Sequence, residues 1–129
     1  VVRVFYVTDA HPFIWYLADK LPPAIDRIFT SAEKGEAIIF VPTIVLAECL
    51  YLAETGKIKL NLNELISKME LSSNFVPVSF NFQVFKLLPE IKIKEIHDRV
   101  IVATAKLLNA KLITKDREIR ESGIVEVVW

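Results

Sequence analysis

The chain has 129 residues, enough for one domain with a buried core, and 53% of them are hydrophobic. Its 16 basic and 16 acidic residues cancel, which excludes nucleic-acid binding through bulk charge; any phosphate must be met by bound cations or by local groups. The single cysteine, Cys49, excludes an internal disulfide framework and a cysteine-based zinc cluster, and its apolar neighbours predict a buried thiol.

In chain order, RVFYVT (3–8) is β-branched and aromatic and predicts a strand that Asp9 ends. Pro12 suits the first turn of a helix continuing through PFIWYLAD, and a second helix is expected from about Pro23 to Lys34 with Gly35 as its stop. AIIFV (37–41) reads as a fully apolar strand, followed by a helix from Pro42 to about Thr55, closed by Gly56. LNELISKMEL (62–71) is an amphipathic helix capped by Asn61, and NFVPV (74–78) is an edge strand, because Pro77 cannot donate to a ladder. Ser79 is expected to cap a helix through Leu88. Residues 95–109 form the next helix, KLIT (111–114) a strand, REIRES a helical turn and IVEVVW a last strand.

Apolar strands alternating with helices imply α/β architecture, a mainly parallel sheet covered on both faces, in one domain spanning 1–129. No apolar run reaches the ~20 residues of a membrane helix, since Pro12, Asp19, Pro42 and Glu48 interrupt the candidates. The first residues carry no basic region and no small-residue cleavage site, so a cytoplasmic protein is expected.

Four acids stand out against this background. Asp9 and Asp116 each follow a predicted strand, and ligands of such sheets bind beyond the carboxyl ends of the strands. Glu48 has Ile44, Val45, Tyr51 and Leu52 at helical spacing around it, an apolar stripe in which an unpaired carboxylate costs several kcal/mol. Asp98 opens a largely apolar helix. Each has a local alternative: a helix cap for Asp9 or Asp116, a salt bridge for Glu48, and for Asp98 a helix-dipole role or a pairing with Arg99 or Lys94. Taken together, four convergent carboxylates repel unless cations intervene, and hard oxygen donors without cysteine select Mg²⁺ or Mn²⁺. Thr114, two residues before Asp116, shares its side of a strand and is a candidate for positioning water or phosphate.

Most of the other acids, Glu33, Glu36, Glu64, Glu70, Glu118 and Glu121 among them, are expected to face water. His97 is expected on a different side of the helix from Asp98, and His11 in a loop. Core packing is the expectation for most of Trp15, Tyr16, Phe80, Phe82 and Phe85. Lys111, Lys115, Arg117 and Arg120 are candidates for weak backbone contacts with nucleic acid.

TDAHPFIWYL, PTIVLAECLYL and HDRVIVATAKLLNAKLITKD resemble the successive motifs of the PIN-domain nucleases, particularly the toxins of VapBC-type toxin–antitoxin pairs. The resemblance covers essentially the whole chain. It implies a three-layer α/β/α sandwich, an acidic site of Asp9, Glu48, Asp98 and Asp116 with Thr114 beside it, and Mg²⁺- or Mn²⁺-dependent endoribonuclease activity. An RNA substrate, a small antitoxin partner and a homodimer are implied as well. Many relatives carry an additional aspartate before the third motif; here the nearest acid is Glu95, with His97 beside Asp98. Two rival readings use the same residues: a catalytically inactive PIN-fold module for RNA binding or protein interaction, and a receiver-like domain. The latter wants paired acids after the first strand, whereas Asp9 stands alone.

Overall fold

A computed structural model describes residues 3–129. Five strands, β1 (Val4–Thr8), β2 (Ala37–Pro42), β3 (Phe75–Val78), β4 (Lys111–Ile113) and β5 (Val127–Val128), form one sheet in the order β3-β2-β1-β4-β5. Every pairing is parallel, so the strands all deliver their carboxyl ends to the same edge. Among the described residues, seven helices flank the sheet: α1 (Ala10–Leu17), α2 (Pro23–Glu33), α3 (Thr43–Glu54), α4 (Leu62–Leu71), α5 (Phe82–Leu87), α6 (Ile96–Leu108) and α7 (Arg117–Ser122). This is the α/β/α arrangement that alternating apolar strands and amphipathic helices require, since both faces of such a sheet must be covered.

The chain runs outward from β1 through β2 to β3 and then returns to the other side of β1 to lay down β4 and β5. The direction of winding therefore reverses between β1 and β4, and the crevice at that point is where parallel sheets place their ligands. Asp9 follows β1 there, and its backbone N–H donates to Ile113 O at the end of β4 (3.0 Å).

Between α1, α2 and β3 the core is aromatic. Phe29 and Phe75 are fully buried, and Tyr16 stacks on Phe29 at 4.5 Å and on Phe75 at 5.4 Å between ring centres. The Lys68 ammonium from α4 lies 4.4 Å from the Phe75 ring centre and donates to the Tyr16 hydroxyl at 2.9 Å. Burial pulls the Lys68 pKa down, with Glu33 opposing it. The Tyr16 hydroxyl in turn donates to Glu33, and burial followed by that bond pushes its pKa up. Glu33 therefore has a partner, where the sequence predicts only water; the separation of 17 residues hides the pair from local pattern.

Several boundaries differ from expectation. Asn81, not Ser79, caps α5, its side chain accepting from Val84 N at 3.1 Å, and α5 gives way to a 3₁₀ turn at Leu88–Glu90. Phe82 is 69% exposed and Phe80 and Phe85 are exposed as well, so the expectation of core packing fails for them; α5 is short and buries only Val84. Cys49 is buried, and burial raises its thiol to about 12. Among the described residues, no helix is long and apolar enough to cross a membrane.

Candidate active site

Asp9 and Asp116 are both helix caps. One Asp9 oxygen accepts from Ala10 N (2.7 Å), which starts α1, and the other accepts from the Thr114 hydroxyl (2.7 Å). Asp116 starts α7 by accepting from Ile119 N at 2.9 Å. Thr114 ties the two together, because its buried hydroxyl oxygen also accepts from Asp116 N at 3.0 Å. The capping roles and the shared position are thus compatible: each cap fixes one carboxylate oxygen and with it the direction of the group.

Asp98 lies in the first turn of α6, whose cap is Glu95; a Glu95 oxygen accepts from Asp98 N at 3.0 Å. The other Glu95 oxygen is 2.7 Å from His97 Nδ1. Burial nudges the Glu95 pKa upward, but the bonds from His97 and from the Asp98 backbone outweigh it, and the net shift is downward. Arg99 turns away from Asp98 and donates to Ile93 O. Glu48 projects from α3 with no ion pair among the described residues, and Tyr51 on its stripe is 63% exposed, so that stripe is less buried than its residues suggest.

Asp9, Glu48, Asp98 and Asp116 all line one cavity of about 620 Å³, together with His11, Trp15, Glu95, His97 and Lys115. His97 therefore reaches the same cavity as Asp98, against the sequence expectation. A second departure is Glu118. Single carboxylate oxygens of Asp98, Asp116 and Glu118 lie within 4.8 Å of one another, close enough to hold one ion, whereas the sequence predicts a solvated Glu118. The only sequence signal for it is its place in the first turn behind Asp116, a position that acids also favour for the helix dipole alone.

The electrostatics follow from this crowding. Burial, then the charges of Asp9, Asp116, Glu95 and Glu48, push Asp98 from 3.8 up to about 7. Glu48 is also raised, first by burial and then by Asp9, with His11 and His97 opposing. Carboxylates that raise one another, with no lysine or arginine in an ion pair with them among the described residues, form a site short of positive charge, and an oxygen-only donor set fits a hard divalent ion. The pH consequence is direct. An acid whose folded pKa exceeds its unfolded value binds more protons when folded, so its favourable contribution is complete below the unfolded pKa and is lost as pH rises through the folded one. In EDTA, thermal stability is expected to fall between about pH 4 and about pH 7, and Asp98→Asn to flatten that slope. A stability profile equally steep in wild type and variant would contradict this.

The family profile of the PIN domain matches residues 6–124. Among solved structures, the chain is similar to VapBC2 from Rickettsia felis bound to a DNA fragment from its promoter, at 18% identity and TM-score 0.72, over 98% of this chain and 99% of that one. A toxin–antitoxin complex from Klebsiella pneumoniae is similar at 22% identity and TM-score 0.66, over 96% of each chain. FitAcB from Neisseria gonorrhoeae is similar at 19% identity and TM-score 0.64, again over 96% of each. No curated protein sequence matches the chain. At these identities the structural likeness speaks for the fold.

Proposed function

The chain belongs to the PIN-domain family, and from that premise we propose that it is a single-domain, Mg²⁺- or Mn²⁺-dependent endoribonuclease, the toxin of a toxin–antitoxin pair. The observation that carries this reading is the gathering of Asp9, Glu48, Asp98 and Asp116 around one cavity at the β1/β4 crevice, with no cation paired to them among the described residues.

Asp98, Asp116 and Glu118 would hold one divalent ion, and Asp9 and Glu48 would add charge from the opposite elements α1 and α3. When bound, such an ion lowers the pKa of water toward neutrality and offsets charge on the phosphate. Thr114 is a positioning residue: its hydroxyl orients Asp9 and holds the backbone of Asp116. Glu95 fixes the His97 ring at the cavity wall, leaving an imidazole there to hydrogen-bond a phosphate or a ribose hydroxyl. Of the four basic residues near the last motif, Lys111 pairs with Glu126 and Arg117 with Glu121, and of the remaining two, Lys115 and Arg120, Lys115 lines the cavity. Cleavage of single-stranded RNA in Mn²⁺ and its loss in EDTA test the reading; RNA binding without cleavage would assign the chain to an inactive module of the same fold.

An antitoxin partner is supported by the toxin–antitoxin complex named above. The homodimer is supported by apolar side chains left at the surface of α3 and α5, with Leu50 37%, Tyr51 63% and Phe85 52% exposed. Light scattering at micromolar concentration is expected to give twice the chain mass, and a monomer there would count against it.

A further inference from the structure

The acidic cavity continues past its carboxylates to an aromatic wall. Trp15 and Lys115 line it too, and the Lys115 ammonium lies 4.9 Å from the centre of the Trp15 ring. Trp129 meets the same ring edge-on at 5.7 Å. Trp15 also lines a second cavity of about 310 Å³, with half-buried Ile58 and Leu60 and exposed Lys20, Lys57 and Lys59. Among the described residues, no acid lines this cavity, and none of these lysines, nor Lys115, is in an ion pair. The loop carrying two of them is tied down: Gly56, at φ +76°, closes α3, and Lys57 N donates to Leu52 O at 2.9 Å.

A chain with no net charge therefore concentrates four cations along one side of its acidic site. Trp15 stands six residues beyond Asp9 in α1, which is about 9 Å along the helix axis. Single-stranded nucleic acid is held by this combination: cations that follow the backbone and an aromatic or apolar surface against which a base lies. The volume is at the lower end for small-ligand sites and suits one base.

We infer that the second cavity is a nucleotide subsite for the RNA strand, resting on the ribonuclease reading above. A base seats against Trp15 and the Ile58–Leu60 surface, the adjoining phosphates meet Lys20, Lys57 and Lys59, and Lys115 spans the strand between this subsite and the acids. The chemistry recognised is a single-stranded phosphodiester backbone with an unpaired base.

The double substitution Lys57→Glu/Lys59→Glu tests this at two exposed positions that the fold does not need. Anisotropy of a labelled ten-nucleotide single-stranded RNA in Ca²⁺ is expected to show binding at least about tenfold weaker than wild type. The logarithmic salt slope should shrink by ~1.4, the value of two single-strand phosphate contacts. An unchanged affinity and slope overturns the subsite, as does an absence of RNA binding by wild type. Cleavage of the same RNA in Mn²⁺ separates the two readings. Lysine-dependent binding without cleavage by wild type keeps the subsite and removes the nuclease; cleavage by both proteins at equal KM does the reverse. If polyglutamate rather than RNA loses its hold on the variant, the cavity takes an acidic protein segment and the proposal is overturned.

Discussion

Asp98→Asn is expected to abolish RNA cleavage in Mn²⁺ while leaving thermal stability in EDTA unchanged or raised. Residues that merely orient metal ligands cost ten- to a hundredfold when removed, so a group in the ligand set should cost at least about a hundredfold. Stability should move the other way. Burial first, and then the charges of Asp9, Asp116, Glu95 and Glu48, raise the Asp98 pKa to about 7, so its ionised form is disfavoured when no cation is bound. An amide of nearly the same shape removes that repulsion, and the gain should be largest above pH 7. A carboxylate with a structural partner would behave oppositely, since deleting one member of a buried pair typically costs ~3–5 kcal/mol. Parallel cleavage assays and melting curves decide the matter. Strong destabilisation of the variant in EDTA would make Asp98 scaffold.

Phe29→Ala is expected to be the most damaging single change outside the acids. The ring is fully buried, stacks on Tyr16 at 4.5 Å and faces Phe75 at 6.2 Å, joining α2 to α1 and β3. Truncating such a residue removes its transfer energy and leaves a void, at a cost of ~3–5 kcal/mol out of the 5–15 kcal/mol that holds a typical domain. Phe82→Ala, at a position 69% exposed, should change stability by less than about 0.5 kcal/mol. Urea unfolding of both variants tests the contrast, and comparable losses would mean that α5 is packed and the aromatic core is not.

Elements whose ends carry a chemical marker were the legible ones. Asn61 caps α4 by accepting from Glu64 N at 3.1 Å, and Pro77 lies in β3 at the sheet edge, both as the residue types predict. Asp9 and Asp116 could be placed at one edge because each follows a strand of a parallel sheet. Glu118 could not. In a helix of six residues, periodicity does not say which side faces a cavity, and an acid in the first turn already has a sufficient local reason. Ser79 and Asn81 present the same difficulty two residues apart: both are capping types, and tertiary structure decides, with the Thr43 hydroxyl accepting from Phe80 N and the chain turning into α5 only afterwards. The Trp15 cavity was out of reach for a different reason. Lys20, Lys57 and Lys59 are scattered along the sequence and meet only because the end of α1 packs beside the loop after α3.

The central claim is that the acids hold a divalent cation, and a Mn²⁺ titration followed by thermal unfolding tests it most directly. At a hundredfold excess of Mn²⁺ over its dissociation constant, wild type should gain about 2.7 kcal/mol. For a chain of 129 residues, this is a rise in Tm of roughly 10 °C. Asp98→Asn should gain much less at the same concentration. Equal shifts in the two proteins, or none in wild type, would contradict a cation held by these carboxylates.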